Sequence, residues 1–559
     1  MVKKIMTFLN KEFHGVNEAA LLIGGFTFIS QILGLLRDKA FAHFIGPGPI
    51  LDVYYASFRI PDFLYISIAS LASITALMPF MVDKLNKGHD EAKRFLNNVF
   101  SVFMIFMVIV SIIIVIIMPY LAHVIAPGFS EEQIHLLVRT SRIMLLSPIF
   151  IGLSNLIGTI TQLYKNFLVF SLSPIFYNIG ILFGVLVLYR YIGIYGLAIG
   201  VVFGAIMHLS VQIPTVSKYK FFPKFIKNIN WNEIKKVVKL SLPRTLALSS
   251  NNLAFMALIA MASQIKSGSI SLFTFAYNLQ SVPVGVIGIS YSVAAFPTLV
   301  KSFSLKDVDG FVRHIGQAAR QIIFWSLPTM ALLIVLRAQI VRVILGSGTF
   351  TWTDTRITAA SAALFIICLV TQGLVLLFVR GYYASGNTKK PLFINVLSSV
   401  MVIVMAFVFN YIFKNYPNIL AYIENILRVK GVSGTNMFAL PLSFAFGSIM
   451  NFILIWISFK KDFLKEKSIN ISSTFFDSLM SSLVMGFVSY IFLSLFDNIF
   501  NINTLLGIFL QGLLSGLIGI ISGILVLYLL KNKEFFDVLN TLRRKLHLNK
   551  IIAPEQSDL

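Results

Sequence analysis

Residues 102–118 read VFMIFMVIVSIIIVIIM, an unbroken apolar run with one serine and no charge. A half-buried strand alternates apolar and polar residues. This run does not, and with its flanks it reaches the length a helix needs to cross hydrocarbon, about 20 residues. Similar runs lie near 18–37, 52–81, 96–121, 134–161, 167–189, 193–216 and 234–263. They continue near 270–300, 317–345, 357–383, 391–413, 437–459, 473–496 and 503–530. Numbered as spans 1 to 14, they predict an all-α polytopic membrane protein with about 14 transmembrane helices. Continuous apolarity speaks against a transmembrane β-barrel. The N-terminal stretch is basic and then apolar, as a secretory signal is. It runs on through Leu36 to Arg37-Asp38-Lys39 without a small-residue cleavage site, so it reads as an uncleaved first span.

Composition agrees. Of 559 residues, 57% are hydrophobic and 12% charged, and the mean hydropathy is +0.84. Soluble chains are about a quarter charged, which excludes a water-soluble multidomain enzyme. The formal net charge of +23 would suggest nucleic acid in a soluble protein. Here the basic residues follow the loops. Of 46 Lys and Arg, 31 fall on one side: the N-terminus, 82–95, Lys165, 217–239, 301–320, Lys389-Lys390, 460–467 and the tail from Lys531. Eight fall on the other side: Arg37, Lys39, Arg190, Lys266, Arg356, Lys414, Arg428 and Lys430. The positive-inside rule places both termini in the cytoplasm and accounts for the charge without a nucleic-acid partner. The one cysteine, Cys368, lies in an apolar run and leaves no disulfide framework.

Two similarities recur at one offset. Leu71–Pro79 (LASITALMP) matches Ile289–Pro297 (ISYSVAAFP) 218 residues later, and Pro174–Asn178 (PIFYN) matches Pro391–Asn395 (PLFIN) 217 residues later. Spans 1–6 then correspond to spans 7–12 in the same orientation, an arrangement of transporters with two lobes and a midplane site. The expected organisation is an N-terminal lobe at 1–216, a basic cytoplasmic linker at 217–233 and a C-terminal lobe at 234–460. Spans 13 and 14 (461–530) and a basic cytoplasmic tail (531–559) follow. Gly512, Ser515, Gly516, Gly519 and Gly523 in span 14 suit either close helix packing or room for an acyl chain.

A charge inside a span is costly and is a functional candidate for that reason. The densest stretch is Leu33–Asp62, LGLLRDKAFAHFIGPGPILDVYYASFRIPD, with Arg37, Asp38, Asp52 and Arg59. Pro61 frees backbone carbonyls beside Arg59. Bland alternatives are snorkelling for Arg37 and an internal pair of Arg59 with Asp38, Asp52 or Asp62. Arg244, in SLPRTLALSSNN of span 7, has no acidic residue within ten positions. Arg139 and Arg142 are expected to pair with Glu131 and Glu132, and Arg337, Arg342 and Arg380 to snorkel from span ends. Guanidinium grips phosphate through two N–H groups at once, so buried arginines fit a lipid phosphate or diphosphate better than a neutral drug. Enzyme signals are thin. Asp307-Val308-Asp309 is a D-x-D without a soluble catalytic domain, and no zinc-spaced cluster or P-loop occurs in the sequence. The pairs Asn97-Asn98 and Asn251-Asn252 read as interhelical hydrogen-bonding groups, with Asn251, Asn252 and Asn395 as alternative cation ligands.

LGLLRDKAFAHFIG, LDVYYASFRIPDFL and ALMPFMV together resemble the MurJ/MviN family of lipid II flippases. That family belongs to the multidrug/oligosaccharidyl-lipid/polysaccharide exporter superfamily. YNLQSVPVGVIGISYSVAAFPTLVKSF looks like the family's span 8, and SRIMLLSPIF and SPIFYNIGI look like its spans 4 and 5. The resemblance covers roughly residues 20–530. It implies two six-helix lobes around a cationic cavity, with spans 13 and 14 forming a groove for a polyprenyl tail. Arg37 and Asp38 match the family's Arg-Asp, Asp52 its aspartate opening span 2, and Arg59 its basic residue before the span 2 proline. Four positions depart from the pattern: Gln31 and Tyr65 replace usual arginines, Ser70 a usual glutamate, and Asn278 the span 8 arginine. Span 7 also lacks the carboxylate of the family's sodium site.

The resemblance thus implies a non-enzymatic flippase in the cytoplasmic membrane that moves an undecaprenyl-diphosphate-linked peptidoglycan precursor outward by alternating access. The expected substrate-binding set is Arg37, Asp38, Asp52, Arg59, Arg244 and Asn278, with no metal and no cofactor. Expected partners are the polyprenyl-diphosphate lipid, membrane lipids and cell-wall synthesis proteins. Another polyprenyl-linked oligosaccharide is the alternative cargo, and a drug or cation antiporter a more distant one. Arg244 early in outward-running span 7 and Arg59 early in inward-running span 2 are expected to act as successive partners of the diphosphate. Topology is directly testable. In a Cys368→Ser background, cysteines at Lys224 and Ser433 should react with impermeant thiol reagents from opposite sides, and labelling of both from outside would overturn the assignment.

Overall fold

The computed structural model describes residues 16–69, 74–464, 469–502 and 504–547; the side chains at 16–24, 69, 74–76, 244, 541, 542 and 544–547 also lie outside the described set. Among the described residues every regular element is a helix. Eleven are long and apolar enough to cross a membrane, or twelve if Trp352–Ile366 and Leu369–Ala384, bent by 44°, form one span. These coincide with spans 3 to 14. Spans 1 and 2 include residues outside the described set.

Span 3 shows why these sequences settle in a bilayer. Its helix, His89–Ile125, has 37 residues, about 55 Å of rise against a hydrocarbon thickness of about 30 Å. Ile105, Ile109, Ile112 and Ile116 lie on its exposed side at helical spacing. In water that stripe would need a protein partner, whereas lipid tails solvate it. The polar start of the helix projects beyond the hydrocarbon.

Hydrocarbon offers backbone groups no partner, so a carbonyl orphaned by a proline inside a span needs another donor, and at two prolines a side chain supplies it. Pro119 cannot donate to Val115, and Arg142 Nε donates to the Val115 carbonyl instead, at 3.0 Å. Arg142 therefore does not pair with Glu131 or Glu132 as expected; His123 lies 3.8 Å from Glu131. Pro61 cannot donate to Ser57, and Ser141 Oγ reaches that carbonyl at 3.2 Å. Arg380 also reaches a neighbouring helix. Its Nε donates to Ser292 Oγ at 3.1 Å, and its guanidinium stands 5.8 Å from the Phe296 ring centroid.

Spans 2 and 8 each contain a π-helical segment, Tyr65–Ala69 and Val284–Ile289. Their starts are 219 residues apart, close to the offset of the sequence repeat. A π turn inserts one residue into the hydrogen-bond ladder and turns the side chains that follow it.

Two compact units make up the chain. The first comprises Met1–Val282, Ile344–Phe365 and Asn387–Asn451. In it, spans 5 and 6 meet through glycines one helical turn apart. A Cβ on Gly180 would lie 2.2 Å from the Gly204 Cα, and one on Gly200 would lie 2.5 Å from the Gly184 Cα. Such backbone contact replaces the hydrophobic effect, which is absent between helices in lipid. Asn251 is interhelical as expected, its Oδ1 accepting from Ser399 Oγ at 2.9 Å. Asn395 Oδ1 accepts from Asn451 Nδ2 at 3.0 Å. Asn97 and Asn98 differ from expectation, since they chiefly bind the backbone of the 217–230 segment. Asn97 Oδ1 accepts from Lys224 N at 2.7 Å and Asn98 Oδ1 from Asn230 N at 3.0 Å.

The second unit comprises Pro283–Val343, Ile366–Gly386 and Phe452–Leu559. The small residues of span 14 are used here for packing. A Cβ on Gly519 would meet Ser489 Oγ at 1.9 Å, and Ser481 Oγ donates to the Gly523 carbonyl at 2.9 Å. A helix at Lys533–His547 follows span 14 and is tied to span 9 by Arg320 Nε and Glu534 Oε1, 3.0 Å apart. Asp307 of the D-x-D sequence is a helix cap, its Oδ1 accepting from Gly310 N at 2.8 Å.

The glycine crossing gives a stability test. Gly200→Ala should cost about 1–3 kcal/mol by forcing spans 5 and 6 apart. Gly25→Ala, with nothing within 4 Å of its Cβ, should cost little. Thermal melting of the detergent-solubilised proteins compares them, and equal midpoints would remove the close crossing as a determinant of stability.

Candidate functional site

Arg37 and Asp38 stand in the last third of the Val16–Phe44 helix. A tight turn follows, in which Gly46 has φ +74° and a Cβ would lie 2.6 Å from Thr349 Oγ1. Glycine is thus required there both by conformation and by space. The chain then re-enters a helix at Pro49, where proline at the first position fits an N-terminus. Asp52 and Arg59 are set by that return.

Asp38 is the hub. Its Oδ1 accepts from Arg37 Nε at 3.1 Å and Nη2 at 3.0 Å, while its Oδ2 accepts from Asn278 Nδ2 at 2.8 Å. Arg37 Nη1 also reaches Asn178 Oδ1 at 3.4 Å, and Asn178 Nδ2 donates to Ser30 Oγ at 3.3 Å. Spans 1, 5 and 8 are therefore joined through one carboxylate and one guanidinium. The Asp38 side chain is 4% exposed and that of Arg37 is 23% exposed. These contacts use three of the five guanidinium N–H groups, and the other two have no acceptor among the described residues.

Asp52 is used differently. Its Oδ2 accepts from Gly268 N at 2.6 Å, and its Oδ1 accepts from both Ser271 N and Ser271 Oγ at 2.8 Å. It lies in the first turn of its own helix and caps the helix Ser269–Pro283, so two positive helix ends converge on one buried carboxylate. Nearby, Thr349 N donates to the His43 carbonyl at 3.2 Å and Thr349 Oγ1 to the Ala42 carbonyl at 3.0 Å.

Arg59 is buried in the first unit. Its Nε donates to the Tyr55 carbonyl at 3.0 Å, and its guanidinium sits over the Phe255 ring of span 7, 4.9 Å from the centroid. Of the three acids expected as its internal partner, none forms an ion pair with it among the described residues: Asp38 is bound by Arg37 and Asn278, and Asp52 by Gly268 and Ser271. Both Nη groups lack a hydrogen-bond acceptor among the described residues. Tyr55, Phe41, Tyr54 and Phe275 pack as an aromatic wall behind this stretch.

Five of the six expected site residues thus belong to three arrangements: Arg37, Asp38 and Asn278 form one network, Asp52 a helix cap, and Arg59 a guanidinium on an aromatic ring. Arg244 lies in the helix Trp231–Ser263, but its side chain is outside the described residues, as is Ser70. Tyr65 Oη accepts from Asn155 Nδ2 at 2.7 Å. Sequence alone does not single out Asn178, Gly268, Ser271 or Phe255 as site residues. Only Asn178 carries a signal, as the polar end of the repeated PIFYN.

The sequence matches the family model described as "Lipid II flippase MurJ" over residues 41–511. Among curated relatives, a probable lipid II flippase MurJ of Buchnera aphidicola subsp. Schizaphis graminum is 27% identical over 509 residues, covering 88% of this chain and 94% of that protein. The lipid II flippase MurJ of Burkholderia cenocepacia is 23% identical, over 79% of this chain and 84% of its own. Among solved structures, a lipid II flippase MurJ in an inward closed conformation superposes with a TM-score of 0.73 at 24% identity, covering 93% of this chain and 100% of that one. An inward-facing multidrug resistance MATE family transporter of the MOP superfamily gives 0.61 at 14% identity, covering 79% and 98%. Both structures show the fold.

The Asp52 cap is open to test. Asp52→Ala should cost about 1–3 kcal/mol by stripping three donors of their acceptor, and Asp52→Asn less, because one carbonyl oxygen remains. The check is the melting midpoint of the purified protein, and an unchanged value for Asp52→Ala would show that the cap does not hold span 8.

Proposed function

The chain belongs to the lipid II flippase MurJ family, transporters of peptidoglycan biosynthesis and not enzymes, and on that premise we propose that Arg59 and Arg37 receive the diphosphate of the lipid-linked precursor. The observation that carries this is the buried Arg59 guanidinium, whose two Nη groups have no acceptor among the described residues and which is backed by Phe255. A phosphate offers two oxygens in the plane of that fork, and contact with the ring lowers the cost of holding the cation in a low-dielectric setting. Arg37 contributes less charge, since Asp38 neutralises much of it, but it has N–H groups to spare.

Arg244 takes the headgroup earlier on the path. It precedes Phe255 by 11 residues in one helix, so it stands about 16 Å nearer the cytoplasm by helical rise. The diphosphate would then pass from one cation to the next as access alternates. Asp38 with Asn278, the Asp52 cap and the Thr349 strap hold the outer ends of spans 1, 2 and 8 together, and outward opening breaks these bonds. A ligand shifts such an equilibrium only through unequal affinity for the two states. Spans 13 and 14 present the groove for the polyprenyl tail. The protein works in the cytoplasmic membrane with both termini inside, alongside the cell-wall synthesis proteins that consume its product.

Replacing Arg59 tests the reading. Arg59→Ala should weaken headgroup binding and translocation by roughly 10- to 100-fold, the worth of one charge-assisted contact. Arg59→Lys should recover only part, because ammonium cannot form the forked contact. Translocation of lipid II in proteoliposomes at matched protein content measures it, and wild-type transport by Arg59→Ala would end the assignment.

A further inference from the structure

The 217–233 segment contains Lys218-Tyr-Lys-Phe-Phe-Pro-Lys-Phe-Ile-Lys227, in which lysines alternate with aromatic residues. As a linker between two lobes it would be expected to be a slack tether. Instead it is strapped along span 3. The backbone N–H of Lys224 donates to Asn97 Oδ1 at 2.7 Å, that of Ile226 to Ser101 Oγ at 2.8 Å and that of Asn230 to Asn98 Oδ1 at 3.0 Å. His89 Nε2 meets the Tyr219 carbonyl at 3.1 Å, and the Tyr219 ring stacks on Tyr164 with centroids 3.7 Å apart. Residues 89, 97 and 101 share one face of the span 3 helix. Phe221 is fully buried against His89.

Fixing the backbone in this way determines which side chains face outward. Phe222, Phe225 and Trp231 are 52%, 59% and 58% exposed. Lys220, Lys224, Lys227, Lys235, Lys236 and Lys239 are exposed around them. The one acidic residue between 217 and 244, Glu233, is held by Lys84 and faces Asn98. The surface is therefore basic, aromatic and ordered in advance. In water three exposed aromatic side chains would be a sustained cost. At a leaflet surface they insert among the headgroups while the lysines meet lipid phosphates. The segment joins spans 6 and 7 directly, which keeps it near that plane.

We propose that this strap is a binding surface for anionic phospholipid headgroups of the cytoplasmic leaflet, anchored by Phe222, Phe225 and Trp231 and selected for charge by the surrounding lysines. It goes beyond the flippase reading and rests on it only for the side of the membrane, which cysteine labelling at Lys224 decides separately. Phospholipid contact here steadies the cytoplasmic ends of spans 3 and 7 and involves none of the residues assigned to the diphosphate.

The test uses the full chain with Trp231 as its sole tryptophan (Trp325→Phe, Trp352→Phe, Trp456→Phe), reconstituted into nanodiscs of mixed phosphatidylcholine and phosphatidylglycerol. Bromine is placed on one lipid or the other at constant composition. Brominated phosphatidylglycerol should quench Trp231 roughly threefold more than brominated phosphatidylcholine at low salt, and about 0.5 M salt should remove the preference. The quadruple change Lys220→Gln, Lys224→Gln, Lys227→Gln and Lys235→Gln should remove it too, and the salt titration gives the same answer on unaltered lysines if that variant folds poorly. Equal quenching by both lipids would overturn charge selection, and no quenching by either would overturn membrane contact. Relief of quenching by a few mole per cent of undecaprenyl diphosphate would assign the surface to the transported lipid and overturn the phospholipid reading.

Discussion

A charge or an orphaned carbonyl cannot be left alone in hydrocarbon, and the arrangement of the first unit follows from that constraint. Asp38 is where it bears hardest. Placed on a membrane span beside Arg37, it is stable there only because one oxygen takes both Arg37 donors and the other takes Asn278. Removing Arg37 would leave a buried charge without compensation, a far larger loss than the net worth of the pair. The pair therefore fixes where spans 1 and 8 meet, and Asn178 adds span 5 through the same guanidinium.

Prolines extend the same logic to the backbone. A proline inside a span leaves an acceptor that its own helix cannot satisfy, and at Pro61 and Pro119 a particular side chain from a neighbouring span fills it. Ser141 serves the carbonyl released by Pro61, and Arg142 serves the one released by Pro119. Proline thereby selects helix neighbours as specifically as a salt bridge does, and it does so without charge. It also diverts arginine: Arg142 has acidic residues nearby in sequence and goes to a carbonyl instead, because an unpaired carbonyl in lipid has no water to fall back on.

Arg59 stands apart from these matched groups. Its ring contact and backbone bond hold the guanidinium in place, and its two Nη groups have no hydrogen-bond acceptor among the described residues. Under the proposed function that combination suits a diphosphate, since a cation fully paired within the protein has nothing to offer it, and one held by nothing would not stay in the membrane. The Asp52 cap shows the opposite case. Its two oxygens accept from three donors at the start of span 8, which holds two helix ends together.

Much of this protein is legible in one dimension. Helix positions and membrane residence follow from the length and spacing of apolar runs, because a bilayer imposes one length scale and one hydrogen-bonding solution on every span. The stretch from Arg37 to Arg59 does not resolve in the same way: Arg37, Asp38, Asp52 and Arg59 all read as candidate ligands, since residue type reports charge but not whether the charge is already matched. Partners 141 to 240 residues distant in sequence decide that, and they include backbone N–H groups that have no signature at all. Asn97 and Asn98 depart from the interhelical expectation for the same reason, as an asparagine in a helix gives no sign of whether its partner is another helix or a linker backbone. The periodic constraint of the membrane is local and written into composition, whereas the pairing of its few polar groups is a long-range choice that only the folded chain makes.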